Sequence, residues 1–546
     1  MAAEVRVGSM VRVALQGRRI GGWVVGLAET ASTDRPLQPL AKITGCGPPA
    51  DVVSLARWAA WRWAGRPAQL LGTASPPHAV RALPAVPAST PATPPIETLA
   101  EGITVMRIPP AGDVFPVVTA AAQRGDALVL APSHSAASYL AARLRLEGHA
   151  VALVPQEWAR AAAGGCVAVG ARAGAWTPRP ALGAVVVIDE GDEAYQSERA
   201  PTWNGRDVAV ERARRAGVPC VLTSPCPSLE ALGHGPLMVP SRSDERGGWP
   251  IVEVIDRRRE PPGSGLYSSR LVTLARSATP DARLVCVLNR KGRARLMACV
   301  ACRELVRCEP CGAVVDGVDI GLRCRRCGTT RPAICLACGG TRLATLRVGV
   351  TRAREELEAL ANLPVAEISA DTAAGPPPES VPVLVGTEAV LHRVAGAAVV
   401  AFLDFDQELL APRYRAGEAA LAMLARAARL VGGRGGGGRV LVQTRLPGHE
   451  VIDAAVHADP SRLAVVEAAR RAALRFPPET AVAAVSGQAA AAFVAGLPAD
   501  DGLEVLGPAN DRWLVRAADH LTLCDALAAT ARPPGRLRIE VDPLRA

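Results

Sequence analysis

Short unbroken apolar runs alternate along most of this chain with longer stretches whose apolar positions recur at helical spacing. From about residue 100 to 245 the runs are Ala127-Leu128-Val129-Leu130, Ala150-Val151-Ala152-Leu153, Cys166-Val167-Ala168-Val169, Ala184-Val185-Val186-Val187-Ile188 and Pro219-Cys220-Val221-Leu222. Continuous Val/Leu runs lack the in-out alternation of a one-sided sheet. They predict strands buried on both faces, hence a parallel sheet covered by helices, in an α/β fold. A second set follows: Leu284-Val285-Cys286-Val287-Leu288, Val383-Leu384-Val385, Val399-Val400-Ala401-Phe402-Leu403 and Val440-Leu441-Val442. Two parallel-sheet lobes in tandem are therefore expected, the second interrupted by a cysteine-rich insertion. Residues 5–27 instead alternate apolar and polar and break at Gly17, which reads as a β-hairpin or small barrel with Arg18 and Arg19 at its turn.

The remaining punctuation sets the boundaries. Asp51 is placed to cap a helix presenting Leu55, Trp58, Ala59 and Arg62, with Trp58, Trp61 and Trp63 as core residues. Pro76, Pro77, Pro84, Pro87, Pro91, Pro94 and Pro95 follow and read as a linker. Pro376-Pro377-Pro378 and the glycine run at 432–438 read as flexible breaks. The expected units are 1–48, a DNA-binding-like β domain; 49–97, a winged-helix-like region and linker; 98–245, the first lobe; 246–454, the second lobe with its insertion at 299–338; and 455–546, a small α/β domain.

Eight cysteines in the insertion form four CxxC pairs: Cys299-Cys302, Cys308-Cys311, Cys324-Cys327 and Cys335-Cys338. Each pair puts two thiols on one turn, and four thiolates satisfy one tetrahedral Zn²⁺. Eight cysteines thus predict two closed structural zinc sites, with no open position for substrate. The twelve residues Gly312 to Arg323 alternate like a hairpin, which favours nesting the inner two pairs inside the outer two. Sequential pairing stays open on spacing alone. The other cysteines (Cys46, Cys166, Cys220, Cys226, Cys286, Cys524) are scattered in apolar contexts, as expected of free thiols in a reducing cytoplasm.

At 546 residues the chain is long enough for several domains, and no apolar run is long enough for a membrane helix. Its start carries charge where a signal peptide would be apolar. The net charge of +10 comes almost wholly from arginine, since Lys42 and Lys291 are the only lysines. A basic excess points to a polyanion partner, and Arg12, Arg18 and Arg19 are candidate phosphate contacts. The histidines are scattered, and neither His134 nor His392 sits at ligand spacing from a cysteine.

Several segments carry a more specific likeness. Residues 185–232 run through VVVIDEGDEAY, GRDVAVERAR and TSPCPSLEAL; LNRKGRARLMACVACRELVRCEPC (288–311) leads into the cysteine pairs; VLVGTEAVL, FLDFDQELLAPRYRAGE and VLVQTRLPGH follow. In this order they resemble primosomal protein N′, the PriA family of replication-restart helicases. The resemblance implies a 3′-end-binding domain, a winged helix and two helicase lobes. It also implies zinc held by Cys299, Cys302, Cys335 and Cys338, and a second zinc held by Cys308, Cys311, Cys324 and Cys327. The partners it implies are branched and single-stranded DNA, primosome proteins, the replicative helicase or its loader, and single-strand-binding protein, in the cytoplasm at the nucleoid.

The nucleotide motifs depart from that pattern. A P-loop needs glycine N–H groups, a lysine and a Ser/Thr, but Pro109, Pro110, Ala111, Gly112 and Asp113 stand in its place. Asp189-Glu190 follow a strand as a Walker B pair would, yet Gly191 and Asp192 replace the next Glu and His. Arg434, flanked by six glycines, is the candidate remnant of an arginine finger. The family's strand and loop ahead of VRVGSMVRV have no counterpart here, through a start codon placed late or a true loss, which puts 3′-end recognition in doubt. The expectation is a fork-binding component of replication restart that helps reload the replicative helicase without ATP and Mg²⁺. An active 3′-to-5′ helicase with diverged motifs, or a zinc-ribbon interaction module, are the alternatives.

Overall fold

The structure, a computed structural model, describes residues 5–28, 39–86, 99–260, 265–289, 297–318, 321–324, 327–345, 350–368, 380–499 and 502–545. The first lobe is a seven-stranded sheet. Its spatial order is Leu237–Met238, Ile103–Arg107, Cys220–Ser224, Leu182–Ile188, Asp126–Leu130, Val167–Gly170 and Val151–Val154, and neighbours are parallel throughout. The second lobe orders six parallel strands as Ile251–Asp256, Arg439–Thr444, Val399–Phe402, Leu284–Val287, Val383–Gly386 and Val365–Ile368. The central strands are sealed from solvent, from Val185 to Val187 in one lobe and Val383 to Val385 in the other. Helices cover both faces, so the apolar runs had no polar side to show. The segment leaving the carboxyl end of Leu182–Ile188 meets the second lobe, at the edge where α/β sheets place their ligands.

The N-terminal unit is a three-stranded antiparallel sheet, Arg18–Trp23, Ser9–Leu15 and Leu40–Cys46. Its hairpin turns on Gln16 and Gly17, both at positive φ (48° and 74°), the two-residue geometry whose twist matches the strands. Helices Ala50–Arg62 and Pro67–Ala74 come next. The first is capped by Pro49, with Asp51 inside its first turn rather than at the cap. Trp63 is buried as expected, while Trp58 and Trp61 are half-buried. No strand pairs with these helices among the described residues of 49–86. Pro87 to Pro95 and Pro376 to Pro378 lie outside the described residues.

Val53, Leu55 and Trp63 of this helical region share one core with Val185 and Leu222 of the first lobe and with Val485 and Phe493 near the C-terminus. The helix pair is therefore the packing between two sheets. The C-terminal sheet is antiparallel, ordered Leu503–Ala509, Arg512–Ala517, Ala481–Ser486 and Arg538–Val541. It opens only at Ala481, because Val451, Ile452 and Leu463 belong to the second lobe's core. Among the described residues no helix is long and apolar enough to cross a membrane.

One polar clasp fastens the C-terminal sheet. Asp542 accepts from Arg62 at 2.6 Å and lies 2.9 Å from His520 Nε2. Burial alone would raise its carboxyl, but His520 and Arg62 outweigh that and hold it well below the usual carboxylate range. A depressed carboxylate stabilises the fold above its unfolded pKa of about 4, and that contribution is lost as pH falls towards the folded value. Asp542→Asn should cost on the order of 2–3 kcal/mol at pH 7 and progressively less as pH falls below about 4. Urea titrations of both proteins across that window measure it; a deficit independent of pH would refute the clasp.

Candidate metal centres and inter-lobe cleft

The insertion gathers its eight sulfurs into two sets. Cys299, Cys302, Cys335 and Cys338 form one, and Cys308, Cys311, Cys324 and Cys327 the other, each with all sulfurs within 4.8 Å of one another. The inner set is closed by the hairpin of Val315–Val318 and Gly321–Cys324, which carries Cys324 back to Cys308 and Cys311. The outer set is closed by Met297–Cys299 pairing with Leu343–Thr345. The grouping is nested, not sequential.

All four CxxC turns have the same backbone. The residue after the second cysteine donates its N–H to the carbonyl of the first: Arg303 to Cys299 (2.9 Å), Gly312 to Cys308 (2.9 Å), Gly328 to Cys324 (3.0 Å) and Gly339 to Cys335 (2.9 Å). Each of these four residues has positive φ, a region glycine enters without strain, and three of the four are glycine. The sulfurs approach at 3.6 Å (Cys299–Cys338), 3.5 Å (Cys302–Cys335), 3.4 Å (Cys308–Cys327) and 3.5 Å (Cys311–Cys324). A disulfide is ~2.05 Å, whereas four sulfurs ~2.3 Å from one ion stand about 3.8 Å apart. The spacing fits an ion in each set. Gly340 lies against the outer set, where an added Cβ would meet Cys299 Sγ at 3.1 Å and Cys338 Sγ at 3.3 Å.

The cleft is crossed by ion pairs between the lobes. Asp189, held at φ 50° beyond its strand, receives two parallel bonds from Arg429 of helix Ala416–Val431 (2.7 and 2.9 Å). Arg429 Nε also reaches the carbonyl of Pro110 (3.3 Å). One guanidinium from the second lobe thus joins the P-loop position to the Walker B position. Burial disfavours its charge, but Asp189 more than compensates and holds it above the ordinary arginine value. Beside it Arg426 meets Asp192 (2.9 Å), and Arg413 meets Glu193 (3.3 Å).

Glu190 points the other way. Its fully buried carboxylate accepts from Arg206 (3.0 Å) and from the N–H and hydroxyl of Ser228 (both 2.8 Å). At the P-loop position Asp113 accepts from the N–H of Phe115 (2.9 Å), the first residue of helix Phe115–Ala122. Arg143 grips the same carboxylate at 2.7 and 3.0 Å and holds it below the usual range. A side-chain carboxylate therefore stands at the helix start where a phosphate would be expected. Arg434 does not join Asp189 and Glu190. It is exposed on a single turn, Arg434–Gly436, and its guanidinium forms no ion pair with a described residue.

Arg12, Arg18 and Arg19 are exposed on the N-terminal sheet. Register places Arg12 opposite Lys42, and Ala14 opposite Arg19. By strand alternation Arg12, Arg19 and Lys42 share one face and Arg18 lies on the other. None of the four forms an ion pair with a described residue. Sequence reading missed Lys42, since only the register brings it beside Arg12.

No family model matches the chain. It is 30% identical over 345 residues to the replication restart protein PriA of Treponema pallidum, covering 57% of this chain and 50% of that protein. Against the probable replication restart protein PriA of Mycobacterium leprae it is 30% identical, covering 65% and 58%. Against PriA of Bacillus subtilis it is 25% identical, covering 62% and 47%. The chain thus spans about half the length of the curated relatives it matches. Among solved structures, a DEAD box protein from Methanococcus jannaschii aligns over 68% of this chain and 87% of its own, at 11% identity and TM-score 0.32; so loose a superposition adds nothing to the topology. With two parallel lobes and paired four-cysteine sets beside these matches, the chain is similar to the PriA replication restart proteins over roughly three fifths of its length.

Proposed function

We propose that this protein binds branched DNA at stalled or abandoned replication forks and promotes reloading of the replicative helicase, without turning over ATP. Similarity to the PriA replication restart proteins supports the replication-restart role. The observation that carries the rest is Arg429, which occupies the space between the P-loop position and Asp189 that a nucleotide's phosphates and metal would need. With Asp113 already at the helix start and Glu190 spent on Arg206 and Ser228, the pocket's charges are satisfied by the protein itself.

In this reading both cysteine sets hold zinc. Cys299, Cys302, Cys335 and Cys338 would bind one ion and Cys308, Cys311, Cys324 and Cys327 the other. Four-thiolate coordination leaves no ligand position for chemistry, so the ions fix a platform for single-stranded DNA or for primosome proteins. Arg12, Arg19 and Lys42 supply a phosphate-binding face.

DNA-stimulated ATP hydrolysis by metal-replete protein should stay at background. Turnover near 1 s⁻¹, at the low end of ordinary enzymes, would overturn this in favour of a helicase with diverged motifs. Fork affinity should fall steeply with salt. Replacing Arg12, Arg19 and Lys42 together by alanine should reduce the log–log salt slope by roughly 2–3, about one per lost phosphate contact. Fluorescence anisotropy on a labelled fork measures both; failure to bind at moderate salt would favour the zinc-ribbon interaction module.

A further inference from the structure

A cavity of about 580 Å³ lies between the N-terminal sheet, helix Ala50–Arg62 and the first lobe. Its size suits a small molecule. Leu55, Leu83, Trp158 and Pro180 give it apolar walls, while Arg6, Arg179, Arg212 and Arg215 face it with Asp51 as the only carboxylate among its lining residues. Arg179 is neutralised by Asp126 (3.1 Å) and Arg215 by Glu211 (2.7 Å).

Arg212 is not neutralised. It is 5% exposed, and its Nη1 donates to the carbonyls of Ala175 (2.9 Å) and Thr177 (2.7 Å). No carboxylate among the described residues comes within 4 Å of it. Arg6 likewise forms no ion pair with a described residue; it reaches only the Cys46 sulfur, at 3.5 Å. Burial pulls Arg212 down to about 10, against the attraction of Asp51 and with the repulsion of Arg179. A desolvated guanidinium without a counter-ion is costly, and an anion entering from the cavity would relieve it.

We infer that this cavity is a binding site for a small phosphorylated molecule with an apolar or planar body. Two uncompensated guanidinium groups match a phosphate dianion in charge and in their forked donor geometry, and the apolar walls accept the rest. The site is separate from the inter-lobe cleft. Leu182, at the amino end of strand Leu182–Ile188, lines it, whereas Asp189 follows the carboxyl end, roughly 20 Å away at about 3.3 Å per residue.

Calorimetric titration of the full metal-replete chain tests this, with inorganic phosphate, adenosine 5′-monophosphate and adenosine as probes. The monophosphate should bind with Kd on the order of 0.1 mM, phosphate more weakly, and adenosine not measurably. Arg212→Met should weaken the monophosphate about tenfold or more. Ala216→Trp, on an exposed lining residue at the end of helix Gly205–Ala216, should block it without touching the core. Absence of heat with both phosphate probes would overturn the inference. So would adenosine binding as well as its monophosphate, or an affinity unchanged in Ala216→Trp, which would place the ligand elsewhere.

Discussion

Chelating the ions proposed for the two cysteine sets is expected to unfold the cysteine-rich unit while both lobes stay folded. The cysteine-rich unit has a private core of only Val306, Cys308, Ala313, Val315, Leu322 and Cys324, and two of the six are ligands. Burying its three large apolar side chains is worth roughly 1.5–3 kcal/mol each. So small a core cannot by itself offset the conformational entropy lost when the unit orders, at roughly 1–2 kcal/mol per residue, and an ion in each set, at roughly 10–16 kcal/mol per structural zinc, would be its largest single stabilising contribution. Chelation should therefore open 297–345 to protease, with cleavage sites mapped by mass spectrometry, and leave near-native protection across Ile103–Ser224. Cys308→Ser should release one equivalent of metal and give the same local cleavage. Gly340→Ala should weaken only the outer site, because its Cβ presses on Cys299 and Cys338. Purified protein with no metal, or chelation that leaves the insertion protease-resistant, would remove the metal from this account.

The sequence announced some of these features and concealed others, for physical reasons. Buried parallel strands were legible because Val185 to Val187 and Val383 to Val385 face apolar neighbours on both sides and permit no polar residue. The cysteine turns were legible because CxxC spacing puts two thiols on one local turn, whatever the rest of the chain does. Ion pairs across the cleft were not legible. Asp189 and Arg429 are 240 residues apart, and an arginine on a predicted helix looks the same whether it faces water or another lobe. Arg434 drew attention through its glycines, yet the cross-lobe contact belongs to Arg429 on the preceding helix. The helix at 50–62 was readable in the sequence and its partner Pro67–Ala74 was not, while the place of the pair between two sheets depends on a C-terminal sheet that sequence alone could not position.

Arg471→Met should be the most damaging single substitution outside the metal sites, and its damage should fade in acid. Arg471 is 1% exposed and holds three carboxylates: Glu230 of the first lobe (3.0 Å), Glu418 of the second, and Glu467 of its own helix (3.3 Å). Glu418 in turn accepts the N–H of Leu229 (3.0 Å), and Arg415 adds a second bond to Glu230 (2.6 Å). The lobes are thus joined through one buried network. Removing its central cation leaves acidic groups packed together, at a cost of roughly 3–5 kcal/mol at pH 7. Glu418 is already pushed up by burial and by Glu230, and losing Arg471 must push it further. A carboxyl raised in the folded state is favourable below its unfolded pKa, about 4.3, and becomes a liability as pH rises through the folded value. The variant should therefore approach wild-type stability near pH 4 and fall progressively behind it towards pH 7. Denaturant titrations at several pH values give the curve, and a fluorescent pair with one dye on each lobe should report separation as the network fails. A deficit below about 1 kcal/mol, the range of exposed pairs, or one equal at pH 4 and pH 7, would show that the lobes are held by apolar packing instead.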